Sequence, residues 1–389
     1  MRVLYFMNHV DQGGAALALI DLIAELRKTH QDYYPIVVTG KNNRLNQVLD
    51  KMGIENYTAS FKNFLSSYRE PILLVRLLLV LRYEIGKFIA YKEINKVIDF
   101  KSIDIVHSNL NRIDIGAILS KRYALPHVWH IREHGEIDFR LVSVKKNPIE
   151  YMNSFDSTFV SVSNSVDRLW KRRGISPESI KIVYDGVRPE LYDWVKERRI
   201  NGDGRMHFIF LGGYAIEKGQ EECIRAIGAL PMEYLNQIKI DFYGNGSKKY
   251  LRYLNDLINK LNLNRVATIN PYKEDIWKII PEYDVGLTCS NAEAFGRVTV
   301  EYMLSGLCPI VSNTGANTEI VNENTGIIYQ KGDIDDLKKK IIFCIENREM
   351  IRDRGKTARV VAIDNYTIEK HAYSIYTLYK ELLGSKSSV

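Results

Sequence analysis

The stretch Val285-Gly-Leu-Thr-Cys-Ser-Asn-Ala-Glu-Ala-Phe-Gly-Arg-Val-Thr-Val-Glu-Tyr-Met-Leu-Ser-Gly306 reads as three pieces. Val285–Cys289 is a short apolar run, Ser290–Phe295 is a loop, and an apolar-periodic segment opens near Gly296. Strand, loop and helix in that order form half of a parallel unit, since parallel strands are joined by crossovers that are usually helical. The alternation repeats outward in both directions. Upstream lie the strand candidates Met206–Leu211, Lys239–Tyr243 and Ala267–Asn270, and downstream Cys308–Ser312 and Gly326–Tyr329. Before residue 190 the same pattern gives Arg2–Met7, Tyr34–Val38, Ile103–Val106, His127–Ile131 and Ser157–Val162.

Between the two runs, Arg188–Arg205 is polar and contains Asn201-Gly-Asp-Gly204, the strongest linker signal in the chain. The expected organisation is therefore a first domain over residues 1–190, a linker over 191–205, a second domain over 206–365, and a C-terminal segment over 366–389. The helix-like part of that last segment, Ile368–Leu383, is expected to cross back onto the first domain. The fold class is α/β, with two doubly wound parallel sheets facing each other across a cleft and ligands at the carboxyl ends of the strands.

With 389 residues, 46% of them hydrophobic, the chain can bury two cores, which excludes a disordered or fibrous protein. The net charge of +7 is modest for a nucleic-acid binder, and no nucleic-acid partner is expected. The excess sits in residues 1–190, with 27 Lys plus Arg against 21 Asp plus Glu. Four cysteines, Cys223, Cys289, Cys308 and Cys344, show no C-x-x-C spacing, which suits a reducing cytoplasm. The opening MRVLYFMNHV reads as a buried strand rather than a leader. The apolar stretch Ile72–Tyr91, interrupted by Arg76, Arg82 and Lys87, reads either as a buried helix or as one lying on anionic lipid.

Glu293 precedes the helix and Glu301 lies about a turn and a half inside it, which sets the carboxylates on the order of 10 Å apart. That suits the two ends of one extended ligand and is too wide for two groups sharing one scissile bond. Between them the amides around Phe295, Gly296 and Arg297 open at a helix N-terminus, an anion site. A sugar nucleotide presents groups in the matching order: sugar hydroxyls, diphosphate, ribose hydroxyls.

The Glu-x7-Glu frame enclosing Phe295-Gly296, Ser305-Gly-Leu-Cys-Pro309, Gly212-Gly-Tyr-Ala-Ile-Glu-Lys-Gly219 and Tyr184-Asp-Gly-Val187 together resemble the retaining GT-B glycosyltransferases of family 4. The resemblance implies two Rossmann-like domains, the first for the acceptor and the second for the nucleotide sugar. It places the transferred sugar at Glu293, the ribose at Glu301, and sugar and phosphate on the amides of Ala294, Phe295, Gly296 and Arg297. Lys218 matches a diphosphate-binding lysine, whereas Gly213 stands where the family has an arginine. Tyr243, Gly244 and Asn245 are expected beside the nucleotide, with Tyr272 near the base. In the first domain, Gly13 and Gly14 of Asp11-Gln-Gly-Gly14 allow close approach of the donor or acceptor. Arg132 stands where the family has a strand-end histidine, with Glu133 beside it; His134 or His130 takes that role if the strand end is offset.

The implied activity is retaining, metal-independent transfer of a sugar, UDP-sugar favoured, to a glycan or lipid-linked acceptor. No cofactor is implied beyond the nucleotide-sugar substrate. The implied setting is bacterial surface polysaccharide or glycoconjugate assembly, in the cytoplasm or peripherally on the inner face of the membrane. A degenerate GT-B protein that binds glycan or a partner transferase is the alternative. A nicotinamide oxidoreductase is disfavoured by the missing G-x-G-x-x-G, and only product analysis separates an epimerase. Asp333-Ile-Asp335 has a D-x-D spacing, but its place ahead of a helix predicts capping rather than metal binding.

Overall fold

A computed structural model describes residues 1–8, 13–67, 73–135, 141–192 and 203–386. Asp11 and Gln12, most of the predicted linker (193–202) and the last three residues lie outside the described residues. The chain divides into two compact units, Met1–Gly186 with Ile368–Val389, and Val187–Thr367. Val187–Glu190 and Tyr366–Thr367 thus group with the second unit rather than with the segments the sequence assigned them to. Val187 and Thr367, the first and last residues of that unit, form an isolated parallel bridge. The Val187 N–H donates to the Tyr366 carbonyl at 2.9 Å.

The first unit contains β1 (Arg2–Met7), β2 (Tyr34–Thr39), β3 (Glu55–Thr58), β4 (Leu65–Ser67), β5 (Ile105–Ser108), β6 (His127–Ile131), β7 (Leu141–Ser143), β8 (Ser157–Ser161) and β9 (Ile180–Ile182). Seven of these form a parallel sheet in the order β3-β2-β1-β5-β6-β8-β9, and β4 pairs with β7 separately and antiparallel. The second unit contains β10 (Met206–Leu211), β11 (Ile238–Gly244), β12 (Ala267–Pro271), β13 (Val285–Thr288), β14 (Cys308–Ser312) and β15 (Ile327–Tyr329). They form one sheet, β12-β11-β10-β13-β14-β15, with every pair parallel. Central strands such as β1 and β14 are buried along nearly their whole length, as strands covered by helices on both faces must be. In each sheet the chain builds outward one way from the first strand and then the other. The switch points fall between β1 and β5 and between β10 and β13.

The helix Gly14–Thr29 buries Leu19, Leu22, Ile23 and Leu26 at i, i+3, i+4 and i+7. The C-terminal helix Ile368–Lys386 packs beside it within the first unit and buries Ala372, Ile375, Leu378 and Tyr379. A polar chain ties this helix to the sheet. The Tyr379 hydroxyl stands 2.9 Å from that of Tyr5, itself 2.6 Å from that of Tyr33, and 2.5 Å from His107 Nδ1. His107 Nε2 continues to His130 Nδ1 at 3.2 Å. These contacts explain why the predicted strand Ile103–Val106 runs instead from Ile105 to Ser108. His107 and Ser108 remain in the sheet because each polar side chain finds a partner there, Ser108 Oγ meeting His127 Nε2 at 3.0 Å.

Burial holds the pKa values of His107 and His130 well below 6.5, with Arg132 adding to the effect, and lowers that of His127 to about 3. All three are neutral in the folded protein, while the unfolded chain protonates them below about pH 6.5. The unfolded state therefore binds more protons below that pH, and stability falls as the pH drops. The expected slope approaches about 1.4 kcal/mol per pH unit for each histidine. Urea unfolding of the first unit at pH 5.5 is expected to show about 4 kcal/mol less stability than at pH 7.5. An unchanged midpoint would contradict neutral burial.

Candidate functional site

The second sheet's switch point lies between β10 and β13, so the loops that follow these strands lie side by side at their carboxyl ends, where ligands of such sheets bind. Gly219, with φ +79°, passes so close to the β13 end that a β-carbon there would stand 2.0 Å from the Cys289 carbonyl oxygen. The Asn291 N–H donates to the Glu217 carbonyl at 2.8 Å and fixes the two loops in register. On the other flank Gly315, φ +56°, crosses Glu293, and its β-carbon would stand 2.2 Å from the Glu293 carbonyl oxygen. The Ala316 N–H donates to that oxygen at 2.8 Å.

Held this way, Glu293 meets Lys218 across the switch point. Lys218 Nζ and Ser290 Oγ each donate to Glu293 Oε1 at 2.6 Å. The Glu293 side chain is 15% exposed and that of Lys218 is 38%. A carboxylate fixed by three elements thus faces an ammonium whose other side is open to solvent. Immediately after Glu293, Phe295 is buried with its ring edge-on to Tyr366, and Gly296, φ +89°, caps the helix Arg297–Leu304 without a side-chain hydrogen bond. Glu301 lies half-buried as the fifth residue of this helix, and Ala294 and Arg297 are half-buried as well. The predicted frame is therefore assembled as strand end, carboxylate, glycine-capped helix start and second carboxylate.

The neighbouring loops are tied to this frame. Gly213 accepts from Gln220 Nε2 at 2.9 Å through its carbonyl, and the Tyr214 N–H donates to the Asn245 carbonyl at 2.7 Å. Gly244 lets the loop after β11 approach, because a β-carbon there would stand 2.0 Å from the Gly212 carbonyl oxygen. The Tyr214 hydroxyl reaches the Asn270 carbonyl at 2.7 Å, which brings the end of β12 into the same cluster. Tyr243 is half-buried, with its hydroxyl 3.5 Å from that of Tyr283, whereas Asn245 and Tyr272 are exposed.

Four residues of this site were not singled out in the sequence: Ser290, Gly315, Gln220 and Asn317. Asn317 is fully buried; its Nδ2 donates to the Ser312 carbonyl at 3.2 Å, and its Oδ1 has no hydrogen-bond partner among the described residues. That oxygen lies 3.5 Å from where a Gly296 β-carbon would be. A buried acceptor left unpaired beside a helix N-terminus suits a hydroxylated ligand. The glycine of the loop after β14, Gly315, three residues past the strand end, was the available signal. Asp333 Oδ1 accepts from the Asp336 N–H at 2.9 Å at the start of the helix Ile334–Glu346, and Asp335 pairs with Lys338. Among the described residues, no three or more His, Cys, Asp or Glu form a group that could hold a metal ion.

The first-unit residues form a separate cluster. Gly13 caps the helix Gly14–Thr29, its carbonyl accepting from Ala16 and Leu17. Arg132 is buried, with Nη1 donating to both Asp185 oxygens at 2.5 and 2.6 Å and Nε to Asn109 at 3.2 Å. Glu133 accepts from Arg112 at 2.5 Å, and His134 Nε2 stands 3.0 Å from Ser165 Oγ. His130 lies inside the strand and stands 3.3 Å from Arg132. The aspartate of Tyr184-Asp-Gly-Val187 is thus the counter-ion of Arg132.

Residues 195–361 match the family described as Glycosyl transferases group 1. Among curated relatives, an uncharacterized glycosyltransferase of Methanocaldococcus jannaschii, MJ1178, is 24% identical over 304 residues, covering 75% of this chain and 80% of its own. The capsular polysaccharide biosynthesis glycosyltransferase CapH of Staphylococcus aureus is 21% identical over 326 residues, covering 82% and 83%. The crystal structure of Anabaena Alr3699/HepE in complex with UDP superposes with a TM-score of 0.78 at 19% identity, covering 98% of this chain and 100% of that one. Its complex with UDP-glucose gives 0.76 at 20% identity, covering all of both chains. The fold is that of the GT-B proteins, with two parallel-sheet α/β domains. The family match and the fold together support a GT-B glycosyltransferase.

Gly219→Ala is expected to cost about 1–3 kcal/mol in urea unfolding, since strain at positive φ adds to a backbone collision. Gly332→Ala, at φ +86° with nothing within 4 Å, carries the strain of positive φ alone and should cost about 1–2 kcal/mol, less than Gly219→Ala. Arg132→Met should lose about 3–5 kcal/mol by stranding buried Asp185, and Arg132→Met with Asp185→Leu should recover most of it. If the double variant is no more stable than the single one, the ion pair is not what places Arg132.

Proposed function

We propose that this chain is a retaining glycosyltransferase of family 4 type that moves a sugar from a nucleotide sugar, UDP-linked in preference, to an acceptor hydroxyl. The observation that carries the reading is the Lys218–Glu293 pair at the switch point, directly ahead of the glycine-capped helix that bears Glu301. In this reading Glu301 holds the ribose and Tyr272 lies towards the base. Lys218 and the amides at Gly296 and Arg297 take the diphosphate, and Glu293 with Asn317 Oδ1 takes sugar hydroxyls. Binding of the donor turns Lys218 from Glu293 towards phosphate.

The acceptor oxygen bonds to the anomeric carbon as the bond from that carbon to the phosphate oxygen breaks. The electron pair of the broken bond leaves with the nucleoside diphosphate, and the acceptor proton passes to the departing phosphate. Negative charge grows on that phosphate, and a fixed ammonium with a helix N-terminus stabilises it without a metal. Gly213 contributes no charge, so Lys218 carries more of this task than it would beside an arginine. A uridine donor is supported by the Anabaena structures with UDP and UDP-glucose. A surface polysaccharide or glycoconjugate product is supported by the relationship to CapH; a glycan or lipid-linked acceptor and a cytoplasmic setting complete the proposal. In the first unit, Arg132, Glu133 and His134 are read as lining the acceptor side, with Arg132 oriented by Asp185.

The test is nucleotide release from UDP-, GDP- and dTDP-sugars, with wild type, Glu301→Ala and Lys218→Ala side by side, and thermal shift with each free nucleotide. Release from one UDP-sugar is expected, reduced about 10²–10³-fold in Lys218→Ala. Glu301→Ala should abolish the thermal shift with UDP. No release and no shift with any nucleotide would overturn the reading in favour of a degenerate GT-B binding protein.

A further inference from the structure

The helix Leu73–Val97 is fastened to the first unit along one side only. Tyr83, Ala90 and Ile94 are buried there, and the Tyr83 hydroxyl donates to Asp114. Glu93 accepts from the Ser60 N–H at 2.6 Å and from its hydroxyl at 3.2 Å. Gly86 lies so close to the underlying chain that a β-carbon would stand 2.9 Å from Lys62 Cγ and 3.3 Å from the Ser60 carbonyl oxygen. On the other side Leu77, Leu78, Leu81, Ile85, Phe88 and Ile89 are 41–65% exposed. At about 100° per residue these six fall within roughly 120° of arc, one stripe about 18 Å long. A soluble monomer seldom leaves so continuous an apolar face in water.

The exposed charged residues of this helix are all cations; Arg82, Lys92 and Lys96 lie along the apolar stripe or within about 20° of its edge, and Arg76 lies on the fastened side. Its two acids, Glu84 and Glu93, are half-buried and occupied. Glu84 pairs with Lys87 and with Lys145, the latter at 2.9 Å, and Glu93 with Ser60. Lys92 Nζ lies 4.5 Å from the centre of the Phe88 ring, its stem along the apolar stripe and its charge at the rim.

We propose that this face docks on an anionic lipid surface, with the helix in the plane of the headgroups, the six apolar side chains below them and Arg82, Lys92 and Lys96 among the phosphates. A spanning role is not available to it, since no helix among the described residues is long and apolar enough to cross a membrane. A second copy of the chain would bring three cations against three cations. A bilayer offers both the apolar layer and the negative rim that the face matches. The inference goes beyond sugar transfer and does not depend on it.

The experiment is sedimentation of the full chain with vesicles of phosphatidylcholine alone and of phosphatidylcholine mixed with phosphatidylglycerol. Binding to the mixed vesicles, weakened by salt, is expected, with a loss of roughly fivefold for each cation in Arg82→Gln and Lys92→Gln. Leu81→Glu with Phe88→Glu should lower partitioning at least about tenfold, while far-UV circular dichroism and the thermal shift with UDP stay as in wild type. Three outcomes would overturn the proposal. One is no pelleting with mixed vesicles at low salt, and another is equal pelleting of the Leu81→Glu, Phe88→Glu variant. The third is a wild-type dimer, seen by light scattering, that this variant converts to a monomer without any vesicle binding.

Discussion

In the second unit, the loop after β13 is clamped between the loops after its two sheet neighbours, β10 and β14. Gly219 presses on it from one side at Cys289, and Gly315 from the other at Glu293. Neither contact leaves room for a β-carbon, and both glycines adopt positive φ, so the geometry depends on residues without side chains. Because the clamp fixes the backbone of Glu293, its carboxylate meets Lys218 and Ser290 at short distances without help from the loop's own flexibility. The same clamp sets where Gly296 can end the loop and start the helix, and hence where Glu301 lies.

The first unit solves a different problem. Its sheet carries buried polar groups within strands, His107 and His130, and just beyond them, Arg132 and Asp185, and burial of such groups is costly unless each is paired. Arg132 meets both oxygens of Asp185, and the histidines and tyrosines hand hydrogen bonds along to Tyr379 on the C-terminal helix. That helix therefore carries polar partners for the sheet as well as apolar surface. A network of this kind specifies one seating of the helix more sharply than apolar packing alone.

Much of this was legible in the chain. Strands β6, β10 and β14 lie where the apolar runs put them, because fully covered parallel strands are written as continuous apolar stretches. The edge strand β3, Glu-Asn-Tyr-Thr, and the short strands β4, β7 and β9 were not read, since an edge is half solvated and three residues hold no period; β15, equally short, was read within Gly326–Tyr329. The frame from Glu293 to Glu301 was readable because its members lie within one strand, loop and helix. Ser290, Gly315 and Asn317 were harder, because their importance comes from sheet neighbours that only the fold brings together. The partner of Arg132 was equally out of reach, since Asp185 lies 53 residues further on. The exposed stripe on Leu73–Val97 was readable as apolar but not as uncovered, since a helix apolar on most sides predicts burial until its surroundings are known.

The pairing of Val187 with Thr367 has a consequence for how this chain is put together. The second unit leaves and re-enters the first at two neighbouring points, so it is an insertion into a sequence that otherwise runs from Gly186 directly to Ile368. An insertion with adjacent ends can be lifted out as a continuous piece and its host closed by a short connector. The host cannot in turn be made by stopping translation after residue 186, because the helix that supplies Tyr379 to its buried network is encoded beyond the insertion. A nascent chain therefore completes the second unit before the first has received its last helix.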